Sequence, residues 1–170
     1  MILGVSCELR KMTLLSIILQ AIQKVQLNDE LLIQKKMEWA TAHRLALYLE
    51  EHFPGWDVDC EYNKVGTEIN SKHDSSGTHR RPDIIVHKRE RLEKDNNLLV
   101  IEIKMESDDS PDEQKIIDFT SPPTGERPFQ YQIGLKISFL PMLKLKWFKG
   151  GQEIENVNNF DNIYKFSGCQ

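Results

Sequence analysis

The stretch that decides the fold is LLVIEIKM, residues 98–105. In an extended chain successive side chains point to opposite faces, so Leu99, Ile101, Ile103 and Met105 line one wholly apolar face. Leu98 and Val100 make the other face apolar at its start, and the segment is expected to be a central strand covered on both sides. Glu102 and Lys104 interrupt that second face, about 7 Å apart along the strand. Burying a carboxylate and an ammonium costs several kcal/mol unless each is paired or coordinates something. The sequence therefore demands a partner for each.

The flanking segments supply the setting. DIIVH, 83–87, reads as a strand opening just after Pro82, a position where a strand tolerates proline. Before it, WDVDCEYN (56–63) alternates, with Val58, Cys60 and Tyr62 opposite Asp59, Glu61 and Asn63. The run from Lys64 to His79, including KHDSSGTH, has little periodicity and is expected to be a long mobile loop. Downstream, SPDEQKIIDFT predicts a short helix with Ser110 as N-cap, Pro111 at N1 and Glu113 closing a capping box. A fourth strand follows in FQYQIGLKISFL, then a hairpin in LKLKWFKGGQEIENV around Gly150-Gly151. Gln130, Tyr131 and Gln132 are expected to pack and to make edge hydrogen bonds.

Toward the N-terminus, LLSIILQAIQKV (14–25) predicts a short apolar helix docked on the body. A longer helix is expected after Asn28 or Asp29 as N-cap, running to about Phe53, where Pro54 and Gly55 stop it. Its inner stripe is Leu31, Glu38, Ala42, Leu45, Leu49 and Phe53, and Glu38 is the one charge in it. The predicted fold class is α/β, one domain over residues 1–170. It has a mixed four-stranded central sheet flanked by helices, with N-terminal helices and a C-terminal β-hairpin added.

Composition narrows the function classes. A chain of 170 residues, 39% hydrophobic and 28% charged, can bury a core and is not disordered. A net charge of -4 excludes a strongly basic protein that coats nucleic acid, leaving local patches at HRR (79–81), HKRER (87–91) and KLKWFK (144–149). In the last, the lysines are expected to alternate out of a hairpin face, with a DNA-facing ribbon as the alternative. Cys7, Cys60 and Cys169 show neither a disulfide framework nor zinc-knuckle spacing, which fits a reducing cytoplasm. No segment approaches the roughly 20 apolar residues that span a bilayer, so no membrane partner is expected. The opening residues lack the pattern of a signal peptide, and Met12 is an alternative start to Met1.

Asp83 in Arg-Pro-Asp precedes Glu-Ile-Lys (102–104) by one strand and a turn. In these residues the chain resembles the PD-(D/E)XK nuclease superfamily, whose fold is restriction-endonuclease-like. The resemblance covers roughly residues 36–140: a helix with an inward Glu, a strand, the Pro-Asp strand, the Glu-x-Lys strand, a helix and another strand. It also looks like small stand-alone bacterial members, through HRLALYLE, EYN and RPDIIVH.

The resemblance implies metal-dependent hydrolysis of phosphodiester bonds, with DNA preferred to RNA, and Mg²⁺ or Mn²⁺ as cofactor. Asp83 and Glu102 would hold the ion, with the main-chain carbonyl of Ile103 as a third ligand. A hard divalent cation suits one or two carboxylates while keeping sites for water and a phosphate oxygen. Lys104, a compact charge, would serve the attacking water and the charge growing on phosphate. Glu38 would assist from the helix, through a water or a second ion. Arg44, His79, Arg80, Arg81 and Lys115 are the candidate substrate contacts, with ordinary surface ion pairs and solvated loop or helix cations as the competing explanation. Glu61 and Tyr62 begin beside the site, as supporting groups or simple strand packing. Many enzymes of this type cut duplexes as symmetric dimers, so a homodimer, or a subunit of a larger assembly, is also admitted. The alternative from another class is a nucleic-acid-binding or protein-interaction module on the same fold without turnover.

Overall fold

The computed structural model describes residues 13–62, 64–65, 68–71, 81–91, 93–106, 112–125 and 128–155. The element order is α1 (Leu14–Asn28), α2 (Glu30–Gln34), α3 (Glu38–Glu50), β1 (Asp57–Cys60), β2 (Lys64–Val65), β3 (Glu68–Ser71), β4 (Ile84–His87), β5 (Asn97–Glu106), α4 (Asp112–Thr120), β6 (Ile133–Leu140), β7 (Lys144–Lys149) and β8 (Gln152–Ile154). The fold class is α/β.

LLVIEIKM lies within β5, a ten-residue strand at the centre of the sheet. The sheet has six strands in the order β1-β4-β5-β6-β7-β8, not four, because the C-terminal hairpin continues it: β6 pairs with β7. β5 and β6 are parallel and every other pairing is antiparallel, so the sheet is mixed. Gly150 and Gly151, with φ of 61° and 81°, make the left-handed turn that a tight hairpin needs. β2 and β3 form a separate two-stranded sheet inside the segment expected to be loop; residues 66–67 and 72–79 of that segment lie outside the described residues.

The sheet is covered on both faces. On one, α1 and α3 bury Ile18, Ile22, Leu45, Leu49 and Phe53 against Ile84, Leu99, Ile101, Ile103, Leu135 and Ile137. On the other, α4 buries Ile116 and Phe119 against Ile85, Val100, Tyr131 and Phe148. α4 sits close because Gly134 lies beneath it: an added Cβ there would meet Ile116 Cγ2 at 2.3 Å and Thr120 Cγ2 at 2.9 Å. Leu98, expected on the α4 face, packs with the opposite cluster at the point where the β4–β5 register shifts.

Three local expectations change. The long helix from Asp29 to Phe53 is broken into α2 and α3, because Lys36 turns left-handed (φ 54°) between them. Leu31, placed in the inner stripe, is 58% exposed as a result. Tyr62 leaves the alternation of Val58 and Cys60: Glu61 at φ 50° flips the chain, and Tyr62 packs on the α4 side instead. Gln130 and Tyr131 behave as expected, Tyr131 fully buried and Gln130 Nε2 donating to the Thr120 carbonyl at 2.8 Å. Gln132 Nε2 donates to the Lys94 carbonyl. Ser110 and Pro111 lie outside the described residues.

Candidate functional site

The site sits at the end of β5, where its α4 face turns polar. Glu102 is 2% exposed and Lys104 half-buried. The β4–β5 register pairs Ile84 with Ile101 and Ile85 with Val100, so one step further sets Asp83 opposite Glu102. Residues directly opposite share a face, with Cβ atoms about 5 Å apart. The Asp83 carboxylate turns onto the β5 main chain and accepts the Ile103 amide at 2.7 Å. That bond holds Asp83 beside the main chain of residue 103, whose side chain is buried on the opposite face and leaves only backbone to a ligand.

Glu38, the first residue of α3, reaches the same strand end. Its Oε1 accepts the Met105 amide at 3.2 Å and its Oε2 accepts Lys104 Nζ at 3.3 Å. The break before α3 explains the reach, since it starts a new helix at Glu38 and brings that first turn to the end of β5. Lys115 is not a solvated helix lysine: it is 9% exposed, and its Nζ donates to Glu102 Oε2 at 2.7 Å. Four of the predicted residues, Asp83, Glu102, Lys104 and Glu38, thus gather at one strand end with Ile103, and Lys115 joins them from above.

The others fall elsewhere. Arg44 is held by Asp29 at 2.9 Å and by the Tyr48 hydroxyl at 2.8 Å, on the α1–α3 side. Arg81 is exposed and lies 3.9 Å from Glu61 Oε2, at the rim beside Asp83. The Glu61 amide donates to the Asp83 carbonyl at 3.2 Å, so its supporting contact is made by backbone. Tyr62 packs its ring 4.7 Å from that of His87. His79 and Arg80 lie outside the described residues.

The structure adds Lys136, which the sequence reading did not single out, and gives new partners to Lys146 of the KLKWFK patch and to Glu113, expected only to close a capping box. Across the parallel pair Glu102 is matched with Lys136, and across the next pair Lys136 is matched with Lys146. Lys136 is 3% exposed. Both lysines donate to one carboxylate oxygen of Glu113 on α4, at 3.1 and 2.7 Å. Burial opposes ionisation of Glu113, but the two ammonium groups outweigh it and hold the carboxyl below its ordinary range. The signal was in the sequence: Gly134, Lys136 and Ser138 alternate with Leu135, Ile137 and Phe139, a polar face on a strand already read as internal.

A second buried polar group lies nearer the sheet edge. Asp59 Oδ2 accepts from His87 Nε2 and from Arg89 Nε, each at 2.9 Å. Burial opposes the charge here too, yet these donors hold the Asp59 carboxyl far below the usual carboxylate range.

The donor set can be matched to a hard divalent ion. Two carboxylates at opposed positions of adjacent chain segments, with main-chain carbonyl beside them, are the ligand types that Mg²⁺ or Mn²⁺ takes while retaining water. A cage of three or more His, Cys, Asp or Glu side chains is absent among the described residues, so such an ion would be held by two carboxylates at most. No family model, curated protein or solved structure matches the chain. No helix among the described residues is long and apolar enough to cross a membrane.

Proposed function

We propose that the protein is a metal-dependent nuclease that hydrolyses phosphodiester bonds, DNA preferred, on a restriction-endonuclease-like core. The observation that carries the reading is the meeting of Asp83, Glu102, Lys104 and Glu38, from three separate elements, at the end of an otherwise apolar strand. Nothing about folding requires four ionisable groups there, since apolar residues of similar volume fill such positions at no net cost.

In this reading Asp83 and Glu102 hold Mg²⁺ or Mn²⁺, with the Ile103 carbonyl beside them. The bound ion supplies Lewis acidity toward the phosphate and lowers the pKa of water. Lys104 donates a hydrogen bond to the attacking water and offsets the negative charge that grows on the phosphate oxygens as the P–O bond to the leaving alcohol breaks. Glu38 orients Lys104: anchored on the Met105 amide by one oxygen, it fixes the ammonium with the other. Lys115 neutralises Glu102 in the protein as it stands and is placed to pass to a substrate phosphate.

A second reading, a binding module without turnover, is favoured by that same Lys115–Glu102 contact, which balances the carboxylate with no ion needed. The two are separated by incubating labelled duplex DNA, single-stranded DNA and RNA with Mg²⁺ or Mn²⁺, using the parent and Lys104→Ala. The nuclease reading expects metal-dependent cutting of DNA that falls about 100-fold or more in the variant. Binding without cutting by the parent, in either metal, would leave the module.

A further inference from the structure

The ladder partners on the α4 face carry a pattern beyond the metal site. Lys104 on β5 is matched with Ser138 on β6, and Ser138 with Lys144 on β7, so the three form one row at right angles to the strands. The row behind it is Glu102, Lys136 and Lys146. α4 covers that inner row through Lys115 and Glu113; in the outer row Ser138 is buried, whereas Lys144 is exposed and the side chains of Lys104 and of the neighbouring Lys146 are 26% and 39% exposed.

Resting on the nuclease reading, we infer that one polynucleotide backbone crosses the sheet along this outer row, from Lys104 over Ser138 to Lys144, with Lys146 flanking it. Strands lie about 4.8 Å apart, so the backbones bearing Lys104 and Lys144 are roughly 10 Å apart, a gap that flexible lysine stems close to the reach of neighbouring phosphates. Ser138 between them is 4% exposed and forms the floor of the row, so the phosphate contacts fall to the two lysines. Among the described residues three glutamates flank the same region, Glu38, Glu106 and Glu113, and each is already matched by lysine: Glu38 by Lys104, Glu106 by Lys36, Glu113 by both Lys136 and Lys146. Glu102, in the inner row, is matched by Lys115. Six lysines among the described residues (Lys36, Lys104, Lys115, Lys136, Lys144 and Lys146) stand against four glutamates and Asp83 here, a slight local excess of positive charge in a chain whose net charge is -4, and the exposed part of it lies on the outer row.

Binding and cutting test this separately. Fluorescence anisotropy of a labelled single-stranded DNA oligonucleotide is measured in EDTA over a salt series with the parent, Lys144→Ala, the double variant Lys144→Ala/Lys146→Ala, and Lys94→Ala. Lys94 lies at the opposite end of β5. The track predicts about tenfold weaker binding by the double variant and a salt dependence shallower by about 0.7 for each phosphate that is no longer neutralised. Lys144→Ala, which leaves the Glu113 ion pairs intact, gives part of that effect, and Lys94→Ala gives none. Parent-like binding and slope in the double variant overturn the track, as does a parent that binds no DNA. Metal-dependent cutting by the parent that disappears in Lys104→Ala then keeps the nuclease reading alive without the track. Conversely, the predicted weakening of binding with no cutting in any metal keeps the track and removes the nuclease reading.

Discussion

The two faces of β5 are built to different rules. On the α1–α3 face Leu99, Ile101, Ile103 and Met105 are all buried and apolar, and pack into a continuous core with α3 and its neighbours. On the α4 face the apolar character ends at Val100, and beyond it come Glu102 and Lys104, matched across the sheet by Lys136, Ser138, Lys146 and Lys144. One face gains stability from every residue along its length. The other gives up burial of apolar surface at one end for a set of charges that must be paired to be tolerated. That difference is the ground of the nuclease proposal, since a fold alone would have no use for the second arrangement.

The largest effect expected on stability comes from breaking the pairing. Glu102→Ala leaves Lys115 buried without its carboxylate, and a loss of about 3–5 kcal/mol is expected from urea unfolding. A loss under about 1 kcal/mol would mean that the ammonium escapes to solvent and that the charged face is looser than its geometry suggests. Next comes the apolar face, where Ile101→Ala removes a fully buried side chain and is expected to cost about 2–5 kcal/mol without touching the charged cluster. The comparison predicts that this variant retains the binding and cutting behaviour of the parent once its lower melting temperature is respected.

A smaller effect is expected from acid at the sheet edge. The Asp59 carboxyl is held below its ordinary range in the folded protein, so the unfolded chain takes up the proton first as pH falls. The stability due to Asp59 is therefore complete above about pH 5 and is lost progressively as pH drops through and below about 4, the usual aspartate value. Asp59→Asn should flatten the acid limb of a plot of melting temperature against pH. An unchanged limb would show that His87 and Arg89 do not depend on that charge. Smallest of all is the paired replacement Glu102→Leu/Lys115→Met, expected to be neutral or stabilising although each partner alone is costly to remove. A clear loss of stability in the double variant would show that the charges hold the fold as well as serving chemistry.

Much of the architecture was legible because hydrophobic period is a strong signal. LLVIEIKM announced a doubly covered strand and the position of its charges, and the Gly-Gly hairpin was read from turn chemistry. Glu38 stood out because it broke an apolar stripe. What failed was set by single backbone residues whose sequence gives no warning. Lys36 and Glu61 adopt left-handed conformations that glycine or asparagine would have advertised, and they break one helix and flip Tyr62 to another face. The ion pairs were hidden for a different reason: Glu102 with Lys115, and Lys136 with Glu113, meet only through the parallel register of β5 and β6 together with the close seat of α4 over Gly134.

The central claim is that the charged end of β5 exists for chemistry rather than for stability. Its most direct test is Lys104→Ala, measured in the same preparation for thermal unfolding and for Mn²⁺-dependent cutting of labelled DNA. The account predicts a melting temperature within a few degrees of the parent, because a partly exposed ion pair such as Lys104–Glu38 contributes about 1 kcal/mol or less, together with loss of cutting. A variant that cuts as well as the parent would contradict it.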